Sequence, residues 1–183
     1  MATQRWNIDP SHSAVGFTVR HLVISKVRGA FERFSGAVEF DEQNPSASKV
    51  AVRIEAASID TREAKRDEHL RSADFFDAAT HPELAFASTS VEKLGGNEYR
   101  VVGDLTIRGV TLPVTLETEF LGVGKDPWGN QRIGFAAKGS IDRKAFGLTW
   151  NQALETGGLL VGEKIEIALD VQAVRAQSAE QAA

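Results

Sequence analysis

Four histidines, at positions 12, 21, 69 and 81 of the 183-residue chain, are the residues best suited to acid–base or metal chemistry, because an imidazole titrates near neutral pH and ligates transition metals. No two of them form the i, i+4 pair around a glutamate that a helical zinc protease uses. Asp67-Glu68-His69 offers oxygen and nitrogen donors, but neighbouring helical residues point in different directions and do not converge on one ion. A solvated helix face is the plainer reading of that triplet. The chain has no Cys, which removes disulfides and thiolate zinc sites. A G-x-S-x-G nucleophile elbow is absent, and Gly157-Gly158 lacks the spacing and the following Lys-Ser/Thr of a phosphate loop. Neither a metal nor another cofactor is expected, and no catalytic residues are assigned.

Two further groups bear on binding. His21 continues an apolar alternation, where a lone imidazole is satisfied either by backbone or by the polar head of a ligand. Arg66, Arg71 and Phe75-Phe76 fall together around the end of a helical segment. One reading is a cationic rim beside an apolar plug; the other pairs Asp67 and Asp74 with the arginines and leaves the phenylalanines to dock the helix. Trp128 and Trp150 stand in loop-like contexts, where a large aromatic caps a barrel end or lines a mouth.

The elements that position these residues are strands, since the hydrophobic period is two over most of the chain. Val15, Phe17 and Val19 alternate with Ala14, Gly16, Thr18 and Arg20. Val27, Phe31, Phe34, Val38 and Phe40 follow with slipped spacing, so Gly29 and Gly36 predict bends in one long strand. A turn over 41–48 leads to Val50, Val52 and Ile54, and further strands are expected at 84–91, 99–107, 114–122, 133–141 and 165–173. Gly95-Gly96-Asn97, Gly109-Val110-Thr111 and the segment 126–130 are short turns, which makes the pairing an antiparallel meander. REAKRDEHLRSA, residues 62–73, is the one helical stretch, and 143–162 reads as a loop or short-helix excursion. The tail 176–183 is expected to fray.

A composition of 42% hydrophobic and 25% charged residues is that of one soluble domain, here 1–175. A net charge of −4 without a basic run argues against nucleic-acid binding. The opening fifteen residues show no apolar signal-peptide core, and no apolar run approaches the roughly 20 residues of a spanning helix. With Met1 as the start, the expected compartment is the cytoplasm.

Eight or so one-sided strands with too little helix to cover a sheet must pack as two sheets or close into a barrel. The inward series holds Phe17, Phe86, Phe120 and Phe135 but also Gly103, Gly122, Ala137, Gly139 and Ala173. Such an interior is either a ligand cavity or a core in which the rings fill the space left by the small residues.

Several blocks, taken together, resemble the YceI-like family from Trp6 to Ala173: WNIDPSHS from Trp6, VRHLVISKVRGAF ending at Phe31, SIDTREAKRDEHLRSADFFD from Ser58, His81-Pro82, GDLTIRGVTLPV from Gly103, and Arg143-x-x-Phe146-Gly147. The resemblance implies an all-β, closed, lipocalin-like antiparallel barrel with the helix near one end. It also implies an apolar tunnel for a polyisoprenoid, an isoprenoid quinone or a related long-chain amphiphile, no enzymatic activity, and a possible homodimer. Many relatives carry a secretion signal that this chain does not show. Tunnel residues are then expected at Phe17, Val19, His21, Phe31, Phe34, Phe75, Phe76, Phe86, Leu105, Phe120, Phe135, Phe146 and Trp150, and head-group contacts at Arg66, Arg71 and His69. The alternatives are an enzyme acting on a bound lipid with His21 or His69 as general base, and an interaction module whose cavity is incidental.

Overall fold

Alternation of side chains translates, among the described residues, into eleven antiparallel strand segments: β1 (Gln4–Ile8), β2 (Ala14–His21), β3 (Ser25–Phe31), β4 (Phe34–Phe40), β5 (Lys49–Glu55), β6 (Ile59–Asp60), β7 (Glu83–Gly95), β8 (Glu98–Ile107), β9 (Val110–Lys125), β10 (Gln131–Asp142) and β11 (Val161–Arg175). The structure, a computed structural model, describes residues 3–155 and 158–177, so most of the tail expected to fray, and Gly157, lie outside the described residues. The order β1-β4-β5-β7-β8-β9-β10-β11 closes through a β1–β11 pairing, while β2, β3 and β6 continue from β11 as a second tier. β1 and β2, β3 and β4, and β5 and β6 are thus three long strands, each interrupted once. The fold is a closed barrel of eight antiparallel strands, and closure removes the edges that an open sheet would expose.

The first interruption is chemical. Asp9 accepts a hydrogen bond from the Ser11 amide at 3.0 Å, and Pro10, lacking an N–H, cannot continue the ladder. The same carboxylate binds Arg132 at 2.8 Å, and Arg132 also reaches Asp126 at 2.8 Å, which ties the break between β1 and β2 to the β9–β10 loop. β6 and β7 do not pair, and the chain between them carries α1 (Ala64–Arg71), shorter than the expected 62–73 because Glu63 caps its start and Ser72 ends it.

The interior divides along the barrel axis. At the end built by β1, β4 and the β7–β8 and β9–β10 hairpins, Phe40 packs on Tyr99, Phe120 and Phe135 with ring centroids 5.7, 5.0 and 5.3 Å away, and Trp6, Val38 and Ile133 are buried beside them. This end is filled. The other end is hollow, and its glycines serve close approach: a Cβ on Gly29 would overlap the Phe17 ring, and one on Gly103 would overlap Phe86. Two rings therefore lie flat against the wall instead of filling the lumen. Gly122 does not belong to the inward series, because a register shift between Gly134 and Phe135 sets Gly122 opposite Gly134 with open space around it.

Candidate functional site

The hollow end is a cavity of about 480 Å³. β2 supplies Val15, Phe17 and Val19 to its wall, and β11 supplies Ile165, Ile167 and Leu169, each the cross-strand partner of one of them. Phe86 from β7, Leu105 and Ile107 from β8, and Val114 and Leu116 from β9 complete the far side. Leu70 from the helical segment after β6, with Phe75, Phe76 and Trp150 from the loops, adds to the wall, Phe76 packing on Phe31 at 5.7 Å and Phe75 on Trp150 at 5.4 Å. Polar groups are confined to a few positions, among them Arg20, Glu63, Lys65 and Arg66 at the rim. Such a space accepts an apolar molecule and offers few partners to water, which needs two to four polar groups to settle.

α1 is held by its own polar side chains. Asp67 is buried and accepts hydrogen bonds from the Thr61 amide at 2.9 Å and from the Thr61 hydroxyl. Arg66 donates to the Thr61 hydroxyl at 2.7 Å and the Thr61 carbonyl at 2.6 Å, and Arg71 donates to the carbonyls of Ala57 at 2.8 Å and Ile59 at 3.1 Å. Neither arginine pairs with Asp67 or Asp74, so the surface pairing considered from the sequence is replaced by bonds to the segment before the helix. Asp74 accepts from His69 Nε2 at 2.8 Å, and the His69 ring packs edge-on against Phe75 and Trp150 at 5.1 and 4.6 Å. The Asp67-Glu68-His69 triplet thus diverges, as helical geometry requires. Among the described residues no group of three or more His, Asp or Glu gathers at metal-binding spacing.

Most of the residues expected to form a tunnel come together here: Phe17, Val19, His21, Phe31, Phe34, Phe75, Phe76, Phe86, Leu105 and Trp150 all line the cavity, with Arg66 and His69. Four do not. Phe120 and Phe135 belong to the filled end, Phe146 is buried away from the lumen, and Arg71 is turned to the chain before α1. Strand parity places Phe120 and Phe135 inside but does not say at which height along the barrel. His21 is half-buried at the wall, and among the described residues no protein group hydrogen-bonds its ring.

Arg143 is the cavity residue whose position sequence reasoning missed. It is 3% exposed, and its guanidinium donates to the carbonyls of Gly162, Leu148, Trp150 and Val161 at 2.7, 2.7, 2.9 and 3.2 Å. Burial pushes its pKa below the usual arginine value, against the opposing pull of Glu163 and Asp142. Its signal was present: the inward series Ile133, Phe135, Ala137, Gly139 and Ile141 continues by two to Arg143. The side chain ties Leu148 and Trp150 to the start of β11 beside the cavity.

The sequence profile of the YceI-like domain family matches residues 6–173. The YceI protein of Escherichia coli O157:H7 is 50% identical over 137 residues, 75% of this chain and 71% of the relative. Among solved structures, Burkholderia cenocepacia BcnA superposes with a TM-score of 0.80 at 27% identity, covering 90% of this chain and 98% of that one. A polyisoprenoid binding domain from Saccharophagus degradans shares the fold at a TM-score of 0.67 and 13% identity, over 95% and 99% of the two chains.

Proposed function

The chain belongs to the YceI-like domain family, and from that premise we propose that it binds and carries an amphiphilic lipid with an isoprenoid or similarly branched tail, without chemistry on that lipid. The observation that carries the reading is the apolar cavity of about 480 Å³ in a barrel whose other end is packed solid. Burial of each CH₂ contributes about 0.8 kcal/mol, so the tail provides affinity. The head stays at the rim, where Lys65 and Arg66 face an anionic group and His21 or His69 a neutral oxygen. That a domain of this fold from Saccharophagus degradans is a polyisoprenoid binder supports the tail chemistry. His69 and Asp74 form a hydrogen-bonded pair, but the imidazole packs edge-on against Phe75 and Trp150 and among the described residues no nucleophile hydrogen-bonds to it, which suits packing better than proton transfer.

The test is mass spectrometry of an organic extract of the purified protein, with an unrelated barrel as control, followed by melting with added farnesol and geranylgeraniol. A ligand that binds only the native state raises the melting temperature. A single lipid species near one per chain, or a concentration-dependent rise with these alcohols, is expected. An extract matching the control together with an unmoved melting temperature refutes the reading.

A further inference from the structure

We propose that the β2–β3 turn is a membrane-docking tip that seats the mouth of the cavity on an anionic bilayer, from which the ligand enters; this rests on the lipid-binding reading above. The first observation is exposure. Leu22, Val23 and Ile24 are consecutive and exposed, Ile24 at 86%, and Leu159 joins them at 40%. They are contiguous: the Leu22 amide donates to Leu160 O at 2.9 Å, and Gly158 lies against Val23. Scattered exposed apolar residues are ordinary, but a cluster at the tip of one hairpin marks an interaction site.

The second observation is the backbone. Leu22 and Val23 hold φ of +55° and +66°, the region in which Asn and Gly are at home and a β-branched residue is an outlier. Gly or Asn would hold these two φ angles without strain; Leu and Val hold them here, and the turn displays apolar side chains at the cost of that strain. The third is charge. Residues 20–28 contain Arg20, Lys26 and Arg28 and no acid, in a chain of net charge −4. Arg20 and Lys26 face each other directly across β2–β3, which is unfavourable unless an anion lies over both. Apolar side chains sink into the headgroup boundary while Lys and Arg meet lipid phosphates, so one anionic surface satisfies both features. His21 and Val161, which line the cavity, are cross-strand partners immediately behind the tip. Docking therefore brings the opening to the lipid.

The experiment is flotation of the whole protein with vesicles of phosphatidylcholine and phosphatidylglycerol at three to one, and with phosphatidylcholine alone. The unaltered protein is expected to float with the anionic vesicles and to be released by salt. The variant Leu22→Asn/Val23→Gly/Ile24→Ser is expected to melt no lower, because Asn and Gly accept the positive φ at 22 and 23, to take up farnesol from solution unchanged, and to lose about tenfold or more in vesicle partitioning. Lys26→Glu/Arg28→Glu should abolish the preference for anionic vesicles. An unaltered protein that stays in the bottom fraction, or a turn variant that floats as well as it does, overturns the proposal. Vesicle binding without any farnesol uptake would refute the lipid-binding reading while upholding the docking tip.

Discussion

Lengthening a bound tail one isoprene unit at a time probes where the cavity ends. At about 30 Å³ for each water-sized group, 480 Å³ accommodates roughly sixteen carbon-sized groups, or about three five-carbon units. A fully buried unit gains about 4 kcal/mol at about 0.8 kcal/mol per CH₂. Ordering its rotors returns about half of that, leaving about 2 kcal/mol, or roughly thirtyfold in affinity, per enclosed unit. The step from two-unit geraniol to three-unit farnesol should therefore be close to thirtyfold, and the step to four-unit geranylgeraniol less than about threefold, since the fourth unit lies outside the walls. Displacement of a fluorescent fatty probe, with alcohols delivered from cyclodextrin, measures each step. Gains that continue undiminished to six or more units would refute the enclosed-chamber argument, and an affinity independent of length would refute burial of the tail.

Four perturbations test the parts separately. Phe86→Trp should lower farnesol affinity more than about tenfold, because the ring already lies flat over Gly103 and added bulk must enter the lumen; the overpacking cost of about 1–3 kcal/mol is read from denaturant melts. Phe120→Ala removes a member of the filled end, so a loss of about 3–5 kcal/mol is expected in the same melts, with the chain-length plateau moved to longer tails. Arg143→Met strands the carbonyls of Leu148, Trp150 and Gly162, while Val161 keeps its bond from Asn151 Nδ2, and should cost on the order of 3 kcal/mol, with amide exchange accelerated first over 148–151 and 158–162. Hydrogen bonds from Ser11 and then Arg132 hold Asp9 well below its usual range, and Arg132 holds Asp126 at about 2. Both folded-state values lie below the ordinary 3.8, so this stabilisation is complete above about pH 5 and is lost progressively as pH falls through 3.8 to the folded-state values at and below about 2. Arg132→Gln should lower the melting temperature at pH 7 and flatten its decline between pH 4 and pH 2.

Much of the barrel was legible because each long strand keeps its parity: Val15, Phe17 and Val19 in the sequence are the wall of the cavity in the structure. Parity gives the face of a strand and not the height along the axis, which is why Phe86 and Phe120 looked alike although one lines the lumen and the other fills the closed end. It also fails across a bulge, and Gly122 was misplaced for that reason. The arginines of α1 admit a cationic rim or pairing with Asp67 and Asp74 in the sequence, and neither reading finds their actual partners, carbonyls at residues 57–61, because that proximity is created by the path of the chain and carries no residue signature. The Leu22-Val23 turn was passed over because turn signals are looked for as Gly, Asn and Pro, and here the turn forms against that preference.

The division of the barrel into a filled half and a hollow half bears on how the family can diversify. Aromatic packing around Phe40 secures the fold, while Val19, Ile165 and Ile167, only half-buried, border empty space and give up less packing when they change. Substitutions on the cavity wall therefore leave the margin above the stability threshold largely intact, and it is this margin that decides which mutations a lineage tolerates. On the lipid-carrier reading, a few point mutations in the chamber of a duplicated copy exchange one ligand for another, with the closed end acting as a reservoir of robustness.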